Sequence, residues 1–236
     1  MELLFRDDAY LAACDATVTA VTPEGLCFDR TVFYPEGGGQ PGDIGRLIRG
    51  DGSVVDLQEA RKSAEGDEVL HPVGEGAALP EVGETVRLEI DWARRYRHMR
   101  THSCLHLLCA AVSGDVTGGQ VGEGRGRLDF NLPDGPPDKE QLAETLNRLM
   151  AEDHPIRPRW ITDAELAAQP DLVRTLSVKP PSGSGRVRLL EIEGVDLQPC
   201  GGTHVRRTGE IGRIEVGKIE NKGRQNRRIN LRLVDL

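Results

Sequence analysis

The sequence predicts an α+β protein in two parts. Residues 1–88 form a small N-terminal β-barrel, and residues 89–236 a two-layer α/β domain whose helices lie on a mostly antiparallel sheet. Three observations predict this. Short apolar runs broken by Gly, Pro and Asp fill the first 90 residues; a stretch free of Gly and Pro follows; strand-like segments return after residue 186.

Taken in order, the runs from Ala16 to Val21, Gly25 to Phe33, Gly45 to Ile48 and Val86 to Ile90 are strand candidates. Their number and close spacing suggest a barrel or sandwich. The segment Arg94 to Val112 repeats apolar residues at helical intervals, so the division between domains is placed at about residue 89. A second helix is expected from Asp138 to Glu152. Asp138 is its N-cap, and Leu142, Leu146 and Leu149 are its apolar face. Trp160 ends a strand, with a short helix starting at Thr162, and Lys179 to Gly185 reads as a loop. Strands resume at Val187 to Ile192, Ile211 to Ile219 and Arg228 to Val234. No internal repeat is present.

Composition excludes several classes. With 38% hydrophobic and 29% charged residues, the chain has material for a core, and no apolar run approaches the roughly 20 residues of a bilayer span. No membrane partner is therefore expected. The first twenty residues hold acidic pairs and no basic n-region, which argues against a secretory signal. The five cysteines, odd in number and scattered, argue for a reducing, cytoplasmic setting. Charge is uneven: the net is −8, yet residues 1–90 carry −11 and residues 205–236 carry +5. A polyanion can dock on the C-terminal part while the acidic part stays clear, although such asymmetry is also common on solvated surfaces.

Two short motifs carry the chemistry. His98, His102 and His106 follow one another at i, i+4 steps on a predicted helix, which stacks their rings on one face. Far downstream, CGGTH offers Cys200 and His204 four residues apart, with Gly201 and Gly202 allowing a tight curl. A histidine pair alone reads equally well as packed or solvated, and a lone cysteine as a small buried hydrophobe. Together the half-sites supply imidazoles and a thiolate, a donor set that suits one zinc ion.

These motifs make the family recognisable. HSCLHLL at 102–108 and CGGTHV at 200–205 resemble the editing domain shared by alanyl-tRNA synthetase and the free-standing AlaX proteins. The likeness extends to GRGRLDFNL at 124–132 and to IGRIEVGKIENKGRQN at 211–226. It also reaches FYPEGGGQPGDIG at 33–45, which looks like the glycine-rich motif of the longer AlaX forms. No ATP-binding signature or aminoacylation domain accompanies them, so the chain resembles a stand-alone editing factor.

The resemblance implies one zinc per chain, held by His102, His106, Cys200 and His204, with His98 left out. Ser103 and Cys104 depart from the Thr and Ala that are commoner in the family's HTALH. Cys104, two residues on from His102, is expected to face away from the ion. The implied reaction is hydrolysis of the aminoacyl ester on alanine tRNA mischarged with serine or glycine. Its partner is tRNA, bound at the acceptor stem and 3′ end, and the expected state is a monomer. Asp129 is the candidate to orient water or a ligand histidine, against the plainer reading of a strand-end carboxylate satisfied locally.

Gln40, Gly201 and Thr203 are the substrate-binding candidates. The run Gly37 to Gly39 also reads as a tight turn, and it lacks the ending of a phosphate loop. Gly122, Gly124 and Gly126 read as a flexible loop. Lys218, Lys222, Arg224, Arg227 and Arg228 are the candidates for backbone phosphates. With aromatics at 4%, base stacking is expected to be a minor contribution. Two alternatives stay open: a tRNA-binding module whose zinc is structural, and editing of another aminoacyl-tRNA such as seryl-tRNA(Thr), since threonyl-tRNA synthetases carry a related domain.

Overall fold

The computed structural model describes residues 1–64, 66, 68–173 and 185–234. The predicted loop at 179–185 lies outside them except for Gly185. The chain divides into two compact units, 1–96 and 97–236.

In the first unit, beside two pairs of two-residue strands, the longer strands are β1 (Ala13–Thr22), β2 (Gly25–Phe28), β3 (Gly45–Ile48), β4 (Val54–Leu57) and β5 (Thr85–Ile90). They form one antiparallel sheet in the order β2-β1-β5-β3-β4. Alternation along β5 buries Val86, Leu88 and Ile90 and turns Thr85 and Arg87 outward, the pattern of a half-buried strand. Leu26, Phe28, Val32, Phe33, Leu47 and Leu88 are buried together in its core.

The expected barrel does not close among the described residues. Leu26 on one edge strand meets His71, and Leu57 on the other meets Val73, each through an isolated bridge rather than a ladder. Pro72 stands between those two bridges and has no N–H with which to continue a ladder. The product is an open sheet with both edges tied to one segment.

The glycine-rich run is a tight turn. Gly37 and Gln40 exchange backbone hydrogen bonds of 3.1 and 3.0 Å, and Gly38 and Gly39 have φ of +59° and +79°. Two consecutive left-handed residues favour glycine there. The C-terminal arm of this segment is anchored by a buried ion pair. Asp43 receives the guanidinium of Arg95 and the Tyr34 amide, while Arg95 also donates to the carbonyls of Ala9 and Val32. That contact binds the first turn of the helix into unit one, so the compact division falls at 96/97 although the sequence changes character near 89.

The helix itself, α1 (Trp92–Ala111), is continued in the second unit by β6 (Asp115–Val121), β7 (Arg125–Asn131), α2 (Lys139–Ala151), β8 (Ile156–Thr162) and α3 (Asp163–Ala167). Then come β9 (Arg186–Ile192), β10 (Asp196–Pro199), β11 (Ile214–Asn221) and β12 (Asn226–Leu233). Two antiparallel sheets result, β6-β7-β12-β11 and β8-β9-β10.

Strands β6 and β7 went unpredicted because five glycines crowd the stretch. Gly122 and Gly124 in fact turn a hairpin, while Gly126 sits in β7. A Cβ on Gly126 would stand 2.8 Å from Thr101 Cγ2, so its bareness lets α1 lie close on the sheet. Asp138 caps α2 by accepting from the Gln141 amide at 2.8 Å. The buried face of α2 is Leu142, Leu146 and Met150. Leu149 is only half-buried, because a strict i+4 step carries the face to 150. Asn147 ties α2 to β11 through both the amide and the carbonyl of Ile214.

His71 gives a test of the first unit. It is fully buried, its Nδ1 hydrogen-bonds Leu26 O at 3.1 Å, and its Nε2 meets Thr31 Oγ1 at 2.9 Å between the edges of Phe28 and Phe33. Burial lowers its pKa to about 4. Between pH 6.5 and 4 the unfolded chain therefore binds a proton that the folded chain refuses, and stability falls as pH drops through that window. The loss is about 3 kcal/mol in all, and the effect vanishes above it. Urea titrations at pH 7 and 4.5 should show wild type losing more than His71→Gln; parallel losses would refute the assignment.

Candidate metal centre

Helix α1 presents His102 and His106 one turn apart, with ring centroids separated by 5.4 Å. Strand β10 ends at Pro199 and releases the CGGTH turn. Arg188 on β9 fixes that turn by donating to the carbonyls of Cys200 at 2.8 Å and Gly202 at 3.1 Å. The two segments meet. Nitrogens of His102, His106 and His204 and the sulfur of Cys200 all lie within 4.8 Å of one another. Cys200 Sγ is 3.2 Å from His204 Nε2 and 3.7 Å from His102 Nε2.

These donors fit a tetrahedral transition-metal ion. Bonds of about 2.0–2.3 Å put the corners of such a site roughly 3.3–3.8 Å apart, the spacing seen here between sulfur and nitrogen. Their protonation fits as well. Burial raises the Cys200 thiol, but the imidazoles of His102 and His204 overcome that and hold it well below the usual thiol range. Burial, with His102 beside it, pushes His204 well below the usual imidazole range. Burial also opposes protonation of His106, yet hydrogen bonds to Asp196 and Cys200 raise it to about 10. A cation seated among the four takes over the charge that this proton carries.

Outer partners aim the rings. His106 Nδ1 lies 3.1 Å from Asp196 Oδ2, which also accepts from Gln198 Nε2 at 2.7 Å. His204 Nδ1 lies 3.2 Å from Ser103 Oγ, which also accepts from the Val205 amide. Engaging Nδ1 leaves Nε2 of each ring for the centre. The sequence reading missed these roles for Asp196, Gln198, Ser103 and Arg188. The signal for two of them was present: residues 196, 198 and 200 alternate along a strand and so share one face.

The structure places the remaining candidates as follows. Cys104 is buried outside the cluster, with its thiol pushed up to about 12 by burial. Gly201 is exposed within the metal turn, with no atom within 4 Å of where its Cβ would stand, and Thr203 is wholly buried. Gln40 is buried in the first unit, at the close of the Gly37–Gln40 turn.

Asp129 on β7 accepts hydrogen bonds from Arg127 and Arg228, and the Arg228 bond above all holds its carboxyl below the usual range. The ring of His106 is held by Asp196. Lys218, Lys222, Arg224, Arg227 and Arg228 share the β11–β12 hairpin, where Lys222 pairs with Glu220 and Arg228 with Asp129.

Residues 187–230 match the family described as "Threonyl and Alanyl tRNA synthetase second additional domain", and residues 9–94 match "tRNA synthetases class II (A)". The chain is 37% identical to "Alanyl-tRNA editing protein AlaX-M" of Methanosarcina acetivorans over 99% of each chain. It is 39% identical to the protein of the same name from Methanosarcina mazei, over 99% of this chain and 97% of that one. "Alanine--tRNA ligase" of Korarchaeum cryptofilum is 36% identical over 91% of this chain but only 24% of its own length.

The arrangement predicts that Asp196→Asn weakens metal binding roughly 10–100-fold without unfolding the protein, as measured by chelator competition. Unchanged affinity would remove Asp196 from any part in aiming His106.

Proposed function

The chain belongs to the AlaX family of alanyl-tRNA editing proteins, and on that premise we propose that it hydrolyses mischarged alanine tRNA in trans. The substrates are seryl- and glycyl-tRNA(Ala). Water adds to the ester carbonyl, the bond to the terminal ribose oxygen breaks, and free amino acid and tRNA leave. The observation that carries this reading is the convergence of His102, His106, Cys200 and His204 at one point.

Zinc is the ion this donor set suits, and bound there it supplies a Lewis acid and an anchor for amino or hydroxyl groups. The chain's own residues do the rest. Asp196 and Ser103 keep the imidazoles of His106 and His204 aimed and prevent them from swinging toward substrate. Arg188 holds the turn, in which Gly201 is exposed with open space where a side chain would stand. Thr203 is the proposed partner for a serine hydroxyl, and Gln40 stays a separate substrate-binding proposal. Hydrogen-bonding that hydroxyl separates serine from alanine, whose methyl leaves the buried polar partner unpaired; glycine lacks the hydroxyl as well, so its clearance does not draw on this contact. Asp129 stays a proposed positioning carboxylate, already ionised by its arginines.

For the tRNA backbone the proposed contacts are Lys218, Lys222, Arg224, Arg227 and Arg228. Their single hairpin can follow the acceptor stem, with Lys218 and Arg224 exposed. The proposed setting is the cytoplasm, consistent with five scattered cysteines, an odd number, and the proposed state is a monomer.

One observation favours a second reading. Four protein donors complete a tetrahedral shell, as in structural zinc sites. Deacylation of seryl-, glycyl- and alanyl-tRNA(Ala), with seryl-tRNA(Thr) as a control, separates the two. The editing enzyme should clear the first two and spare the others. Cys200→Ala should reduce the rate by more than the roughly 10–100-fold of an outer partner, and chelation should stop turnover while the far-ultraviolet dichroism persists. A protein that unfolds on chelation and is inert when intact is the structural-zinc module instead.

A further inference from the structure

The three-stranded sheet carries an element that the editing reading leaves unused. The register of β8 against β9 sets Trp160 directly opposite Arg188 and one step from Arg186. The register of β9 against β10 pairs Leu190 with Gln198 and Ile192 with Asp196. Cross-strand partners share a face, so Trp160, Arg186 and Arg188 stand on the same side as Asp196 and Gln198, which lead to Cys200. Arg188 joins the two regions, because its guanidinium holds the carbonyls of the metal turn.

Trp160 is 40% exposed, the sole aromatic among the large hydrophobic residues left on the surface of the described chain. The guanidinium carbon of Arg186 lies 5.9 Å from its ring centroid. An indole that faces water beside arginine contributes little to a core. It offers a π-surface for a base and a cation for a neighbouring phosphate.

We propose that Trp160 and Arg186 form a stacking platform for the unpaired 3′ end of the tRNA, delivering its esterified terminus past Arg188 to the metal turn. The proposal rests on the editing reading for the identity of the RNA. A nucleotide end fits better than a folded partner because the patch is one indole wide and cationic. The low aromatic content predicted little stacking; one well-placed ring next to the centre is enough.

The test is filter binding of uncharged tRNA(Ala), with its 3′ end intact or lacking the terminal CCA, to zinc-loaded wild type, Trp160→Ala and Trp160→Phe. Wild type should prefer the intact RNA. Trp160→Ala should lose that preference, with affinity for the intact RNA falling about tenfold, and Trp160→Phe should keep most of it. With seryl-tRNA(Ala), Trp160→Ala should raise KM by a similar factor and leave kcat unchanged.

Equal weakening toward both RNAs would place Trp160 on the stem and overturn the proposal. So would affinities that do not move at all, the result expected if the indole serves a protein partner. If wild type prefers the intact end yet deacylates nothing, the platform stands and the editing reading falls.

Discussion

A buried thiolate among three imidazoles is the constraint around which the second unit is arranged. Cys200 and His204 come from a turn after β10, His102 and His106 from the middle of α1, nearly a hundred residues away in the chain. In a low-dielectric interior such groups are costly unless each is hydrogen-bonded or shares a cation. The surroundings meet that demand with specific partners: Asp196 for His106, Ser103 for His204, and a Gly202 amide 3.4 Å from the sulfur. Asp196 lies on β10 and Ser103 on α1, so the site inherits the rigidity of the sheet and helix.

The first unit solves a comparable problem with a different device. Arg95 and Asp43 are both almost fully buried, and desolvating two such charges is repaid only when every remaining donor and acceptor is used. Here they are: the guanidinium reaches Ala9, Val32 and Asp43, and the carboxylate also takes the Tyr34 amide. The pair pins both ends of the segment that holds the tight Gly37–Gln40 turn to the first turn of α1. Replacing one partner alone would strand the other charge, a loss of roughly 3–5 kcal/mol. The glycine-rich motif is thus shaped by local backbone geometry together with a salt bridge that no local pattern reveals.

This contrast explains what was legible in the sequence. The four donors were readable because the spacing of each half-site, i to i+4 on a helix and C-x-x-x-H across glycines, is a local property. Helix α2 and its cap were readable for the same reason, up to a face that ends at Met150 rather than Leu149. Barrel closure was not readable: it depends on whether two edges find a continuous ladder, and Pro72 denies them one. Nor was the role of Asp129, whose partner Arg228 stands across a strand pairing about a hundred residues distant in sequence. The sheet face on which they meet presents Arg125, Arg127, Arg228, Asn230 and Arg232, so the carboxylate neutralises part of a basic surface.

Burial of the four donors is itself unequal. The three histidines are buried, whereas Cys200 is only partly covered, and Gly201 beside it has no neighbour where a side chain would stand. The sulfur is thus the least covered of the four donors. A structural zinc site gains by closing every approach. Here the imidazoles of His106 and His204 are closed in by hydrogen-bonded partners while Cys200 stays partly covered, an asymmetry expected where something larger than an ion must reach the donors. Glycine at 201 fits such exposure, since the space where its side chain would stand is open.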